Sequence, residues 1–291
     1  MRYFTFWTLA AVVFLSTSST FQNNQKLCNG IIPENDMWIG VDSKSASKEM
    51  TKEIFDNVID RIEEVYTPII EDMGLKFEVV RKWDDGTVNA YARRIGRTME
   101  VNMFGGLARH PSITPDGFAL VVCHETGHHM GGAPKKASLF GTWASNEGQS
   151  DYWGVTKCMK KVFENDDNIQ IISSMTIPAT ITSNCNELFD NVNESALCQR
   201  VAMAGNSLGN FFNVASQGAT VVHVDTPDTR VVNRTDDDHP KAQCRLDTYF
   251  QASLCDISHN TDVSNSDASV GACTRKAGYT KGVRPLCWYK P

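Results

Sequence analysis

The chain has 291 residues, 41% of them hydrophobic, which is enough for one large domain or two small ones around a substantial core. A formal net charge of -6 and the lack of any long basic tract remove the electrostatic reason to expect nucleic acid or an anionic membrane surface as a partner.

The first segment stands apart from the rest. Arg2 supplies a positive start, Phe4 to Leu15 is almost wholly apolar, and small residues follow from Ser16 to Thr20. That pattern predicts a signal peptide over residues 1–20, too short for a comfortable membrane span, with no later stretch of spanning length. No stable transmembrane insertion is expected after its removal, and the protein is expected to be secreted or periplasmic. The nine cysteines agree with export: they are scattered, lack close C-x-x-C pairs, and six follow residue 180. Disulfides are therefore expected to fasten the C-terminal half. Because nine is odd, at least one cysteine stays free or pairs between chains, and Cys123, set in an apolar helix, is the candidate for a buried free thiol.

Helical spacing of Ile54, Val58, Ile59, Ile62, Val65, Tyr66 and Ile69 predicts a long helix over 46–73, stopped by Gly74. Three strands are predicted next, over 75–80, 88–93 and 98–103, with Asp84-Asp85-Gly86 as a turn and Gly105-Gly106 ending the section. Thr114-Pro115-Asp116 combines a capping hydroxyl, a Pro at the first helical position and an acid in the first turn. The helix it opens runs to Met130, where Gly131-Gly132 stops it. A second helix is predicted over 144–163 and shorter ones around 194–204 and 240–254, while 214–238 and the tail from 256 read as loops or short strands.

The chemistry gathers on the two central helices. In His124-Glu125-Thr126-Gly127-His128 the histidines are four residues apart, so both imidazoles share one helix face and can converge on one ion. Glu125 lies one position round, where it can accept a proton from a water. A catalytic zinc site needs a third protein ligand and an open position. Asn146-Glu147-Gly148-Gln149-Ser150-Asp151 opens the next predicted helix and offers Glu147 as that ligand. Asp151, one turn on, can receive the free N–H of a bound imidazole and fix its tautomer. His129 projects to a different side and is expected to be packed or solvent-facing.

These segments resemble the zinc peptidases whose third ligand is a glutamate, the group containing the heat-shock membrane protease HtpX and the CAAX prenyl proteases. Val121 to His128 looks like that family's metal helix, and Glu147 with Asp151 like its third-ligand motif. Asn89-Ala90-Tyr91-Ala92 matches its strand ahead of the metal helix, and His239-Pro240 with Arg245 its late His-Pro and arginine. The likeness covers roughly residues 50–250. Family members are often multi-pass membrane proteins, and the cysteine-rich region from Cys185 departs from the common pattern, so the likeness implies a soluble exported relative.

The fold implied is α+β, a mainly helical zincin-type domain over 29–255 with a small antiparallel or mixed sheet ahead of the metal helix. Residues 256–291 would be a disulfide-fastened extension of it. The implied reaction is endopeptidase hydrolysis of a peptide or protein substrate with one Zn²⁺ held by His124, His128 and Glu147, and with Glu125 as general base. The resemblance also makes His239 and Arg245 partners for the oxyanion. It makes Asn89, Ala90, Tyr91 and Ala92 a substrate edge for main-chain pairing. Two other readings stay open: a zinc hydrolase of a non-peptide amide, and an inactive metallopeptidase-derived binding protein. The long polar region between Glu147 and His239 also admits a C-terminal half that gates the site.

Overall fold

The computed structural model describes residues 30–137, 142–216 and 221–291. The predicted signal segment and Cys28 lie outside the described residues. Helix α1 (Lys52–Asp72) begins six residues later than its periodicity suggests, because Thr51 is the cap and its hydroxyl accepts from the Ile54 N–H at 3.2 Å. Its buried face is Phe55, Ile59, Ile62, Tyr66 and Ile70, with the remaining apolar positions partly buried beside it. Gly74, at φ +70°, then turns the chain in a conformation that disfavours a side chain.

Strands β1 (Lys76–Lys82), β2 (Ala90–Ile95) and β3 (Thr98–Phe104) form a mixed sheet in the order β1-β3-β2. β3 is the middle strand, parallel to β1 and antiparallel to β2, and Met99 to Phe104 are all buried. β2 is consequently an edge. Gly105 and Gly106 do not form a turn: they open the short helix α2 (Gly105–Ala108), pressed so closely against the 83–87 loop that a Cβ on either would meet backbone at about 2 Å.

Helix α3 (Pro115–Met130) is buried from Gly117 to His129, so it is a core helix, in contact with α1, β2 and β3. Its cap is the expected one, with the Thr114 hydroxyl accepting from Gly117 N–H at 3.0 Å. The predicted helix over 144–163 starts at 147 and runs through α4 (Glu147–Trp153), a π-helical stretch (Gly154–Met159) and α5 (Lys160–Phe163). Helices α6 (Asn168–Ser173) and α7 (Ala179–Leu188) occupy a region with no predicted element. Helix α8 (Val192–Ala215) is about twice the predicted length and packs along α9 (Ala242–Ser253) and against α3.

Four disulfides pair all eight cysteines among the described residues: Cys123–Cys158, Cys185–Cys198, Cys244–Cys287 and Cys255–Cys273. The expectation of a free Cys123 is therefore overturned. Its thiol faces the π-helical stretch and staples the metal helix to the next one, an across-space pairing that sequence separation does not reveal. The bonds fit an oxidising setting. Among the described residues no helix is long and apolar enough to cross a membrane. The tail from 256 wraps α4 instead of forming a separate unit. Trp288 is fully buried over Gly148, Tyr152 Oη donates to Gly282 O at 2.6 Å, and Arg284 Nε donates to Gln149 Oε1 at 2.7 Å.

Candidate metal centre

Two features bring the second helix onto the first. Gly127 lets it approach: a Cβ there would sit 3.1 Å from both Ser150 O and the Trp153 ring. Asn146 then fixes where α4 begins. Its Oδ1 accepts from Gln149 N–H at 2.9 Å, and its Nδ2 donates to Asp236 O at 3.1 Å and to Asp237 Oδ1 at 3.2 Å. Glu147 follows as the first helical residue, and the loop leading to His239 is tied to the same point.

Donor atoms of His124, His128 and Glu147 all lie within 4.8 Å of one another, and the three residues are fully buried. Oε2 of Glu147 is 3.3 Å from Nε2 of His124 and 3.6 Å from Nε2 of His128. Yet both Nε2 atoms, both Glu147 oxygens and both Glu125 oxygens are buried without a hydrogen-bond partner. Such orphans cost about 1–3 kcal/mol each, more when charged, and a cation among them removes the cost. The group can hold a metal ion. Glu125 Oε2 stands 4.0 Å from His128 Nε2, beside the cluster and not within it.

Both imidazoles are oriented from behind, which leaves Nε2 for the ion. His124 Nδ1 donates to Asp151 Oδ1 at 2.7 Å, and His128 Nδ1 donates to Ser145 O at 2.9 Å with Ser150 Oγ at 3.0 Å. Asp151 is held in turn. Arg245 grips it through Nε at 2.8 Å and a terminal nitrogen at 2.7 Å, and Tyr249 Oη donates to it at 2.5 Å. Burial works against charge on Asp151, but Arg245 and His124 override it and hold the carboxyl down at about 2. His124 would be lowered by burial, but Asp151 lifts it to about 9. His128, without a carboxylate partner of that kind, is carried down by burial to about 4. Glu147 is held below the ordinary carboxylate range because His128 and His124 outweigh its burial. Glu125 has mainly burial acting on it and is pushed up to about 8.

His239 reaches the cluster, with Nε2 3.3 Å from Glu147 Oε2 and 2.8 Å from Gly30 O. Arg245 does not serve as the oxyanion partner that the family likeness implies. Its guanidinium is spent on Asp151 and on Ile31 O at 2.6 Å, with its plane over Phe212 at 3.8 Å. It positions His124 through Asp151. Of the predicted substrate edge, Asn89 and Ala90 face the chain segment at Gly30 to Ile32, Ala92 is fully buried, and the Tyr91 ring packs toward Phe104 at 5.9 Å and Lys82. His129 is packed, as expected, stacked on Trp143 at 4.5 Å.

Sequence reasoning missed Ser145, Ser150 and Tyr249. Ser145 acts through its carbonyl and leaves no trace in residue type. Tyr249, one turn after Arg245 on a predicted helix, was within reach of the spacing argument. Comparison with family models, with curated proteins and with solved structures finds no match.

Proposed function

We propose that this chain is an exported zinc-dependent endopeptidase, with His124, His128 and Glu147 as the metal ligands. The observation that carries the reading is the convergence of two Nε2 atoms and one carboxylate, all buried and unpartnered, beside a second unpartnered carboxylate on Glu125. Two imidazoles and one carboxylate are a donor set typical of catalytic zinc, while a purely structural site would use a fourth protein ligand. Bound there, zinc would supply Lewis acidity toward a carbonyl and lower the pKa of a water.

The protein's own groups supply the rest. Glu125, whose carboxylate stands beside the cluster 4.0 Å from His128 Nε2, is suited to take a proton from the attacking water and return it to the leaving nitrogen. His239 Nε2, beside Glu147, is placed to donate to the carbonyl oxygen as it gains charge. Asp151, Arg245 and Tyr249 keep the His124 ring in the tautomer that leaves Nε2 free. The edge of β2, where Ala90 O already accepts from Ile31 N–H at 2.9 Å, favours a peptide over another amide, since main-chain pairing there would hold an extended strand. The test is zinc analysis with a broad peptide-library assay on the native chain and on Glu125→Gln. The variant is expected to keep one zinc per chain and lose cleavage by about 10² or more. Unimpaired cleavage by that variant would overturn the assignment.

A further inference from the structure

The free edge of β2 is already occupied in part by the protein's own chain. Ile31 N–H donates to Ala90 O at 2.9 Å, as a paired strand would, and Asn89 Nδ2 donates to Ile32 O at 3.1 Å while its Oδ1 lies 3.5 Å from Ile32 N. The two carbonyls flanking that paired N–H point at the metal centre's own side chains. Gly30 O accepts from His239 Nε2 at 2.8 Å, and Ile31 O accepts from Arg245 at 2.6 Å. Gly30 O, Ile31 N–H and Ile31 O are thus held either by the sheet edge or by a residue that also touches Glu147 or Asp151. The arrangement supplies what a peptidase needs to hold a substrate: edge pairing for the strand and a donor on the carbonyl that would become the oxyanion.

Residue type agrees with the placement. Gly30 has φ +98°, and a Cβ on it would lie 2.4 Å from Asn89 Oδ1 and 2.5 Å from Ala90 O, so only glycine lets this carbonyl approach. Ile31 and Ile32 are buried at 0% and 6% exposure, seated as apolar side chains beyond a cleavage point would be. The cysteine count divides at the same place. Cys28 precedes Gly30, and the eight cysteines after it are paired among themselves.

We propose that the protein hydrolyses its own Gly30–Ile31 peptide bond, so that Ile31 becomes the N-terminus of the mature chain. The inference rests on the peptidase reading above. Water oxygen bonds to the Gly30 carbonyl carbon, and the carbon–nitrogen bond to Ile31 breaks. Glu125 takes a proton from the water and delivers it to the Ile31 nitrogen, and the water's second proton follows, leaving a Gly30 carboxylate and an Ile31 ammonium with one water consumed. Hydrolysis frees the Gly30 carboxyl to leave His239 and opens the candidate site, whose ligands are otherwise fully buried, to other peptides.

The test uses the full chain loaded with Zn²⁺, followed by intact mass and N-terminal sequencing beside the peptide-library assay. The native chain is expected to yield Ile31 as its N-terminus at a rate independent of protein concentration. Glu125→Gln is expected to retain the upstream residues and to show slow amide hydrogen exchange at Ile31. Gly30→Val is expected to retain the upstream residues and to lose that protection. A native chain that cuts library peptides while keeping Gly30–Ile31 intact would overturn self-cleavage and leave the peptidase reading standing. An Ile31 N-terminus on Glu125→Gln, equal processing of Gly30→Val, or a rate proportional to concentration would also overturn it. A native chain that cuts neither itself nor the library would remove both readings.

Discussion

At the residue scale, the decisive contact is the one that places Asp151 between a metal-type imidazole and an arginine. Asp151 is fully buried and accepts from His124, Arg245 and Tyr249 together. Replacing it by Asn keeps the shape but removes the charge that answers Arg245. Asp151→Asn is expected to weaken zinc binding by about 10- to 100-fold. It should also lower stability by about 3–5 kcal/mol through the stranded guanidinium. Competition with a zinc chelator and urea unfolding of the metal-free chain separate the two effects. Asp247, away from the metal, offers a pH test. It accepts from Asp228 N at 2.6 Å and Gln243 Nε2 at 2.7 Å, yet burial pushes its carboxyl up to about 6. The folded acid therefore holds its proton at a pH where the unfolded one, near 4, has lost it. Asp247 consequently penalises the fold increasingly as pH rises from about 4 to about 6, and fully above that. Thermal midpoints of Asp247→Asn are expected to gain on the native chain across that window, with the gain vanishing below pH 4.

At the element scale, α4 is positioned by what surrounds it, not by its own seven residues. An isolated helix of that length would be marginal. The Asn146 cap sets its first residue, α3 supplies one wall, and the tail supplies another through Trp288. A Cβ on Gly148 would fall 2.3 Å from the Trp288 ring. Gly148→Ala is therefore expected to displace the tail and destabilise the protein by about 1–3 kcal/mol, read as a lower denaturant midpoint and faster amide exchange at Trp288. Unchanged exchange there would show that the ring yields without cost. Most of these elements were legible beforehand. The period of Ile59, Ile62 and Tyr66 and the Thr114-Pro115-Asp116 start are local facts; α3 begins where its signal places it, and α1 follows its period but starts six residues late, at Lys52. α7 was not legible because its buried residues, Ile181 and Cys185, pack with Cys198 and Ala202 of α8 across the Cys185–Cys198 bond, and α6 was not because it buries only Asn168.

At the scale of the whole molecule, the candidate metal centre joins segments from four parts of the chain: α3, α4, the loop at His239 and the stretch at Gly30. An ion that binds only when these are assembled stabilises the assembly by mass action. Zinc at about a thousand times its dissociation constant is expected to add about 4 kcal/mol to stability. Stripping the metal should lower the thermal midpoint, and readdition should restore it. A midpoint indifferent to zinc, with zinc shown to bind, would mean that the four segments are assembled independently of the ion.

The gathering of His124, His128 and Glu147, with Glu125 beside them and Asp151 behind His124, was foreseeable from residue type and spacing, since a helix converts four-residue steps into a shared face. So were the α+β class and the three strands, because hydrophobic periodicity is a local property of the chain. The partner of Cys123, the seating of Arg245 on Asp151, and the seating of Gly30 on His239 were decided only in three dimensions. Each depends on residues more than thirty positions apart meeting in a packed interior, where complementary volume and the need to satisfy every buried polar atom select one partner among many that sequence alone leaves equivalent.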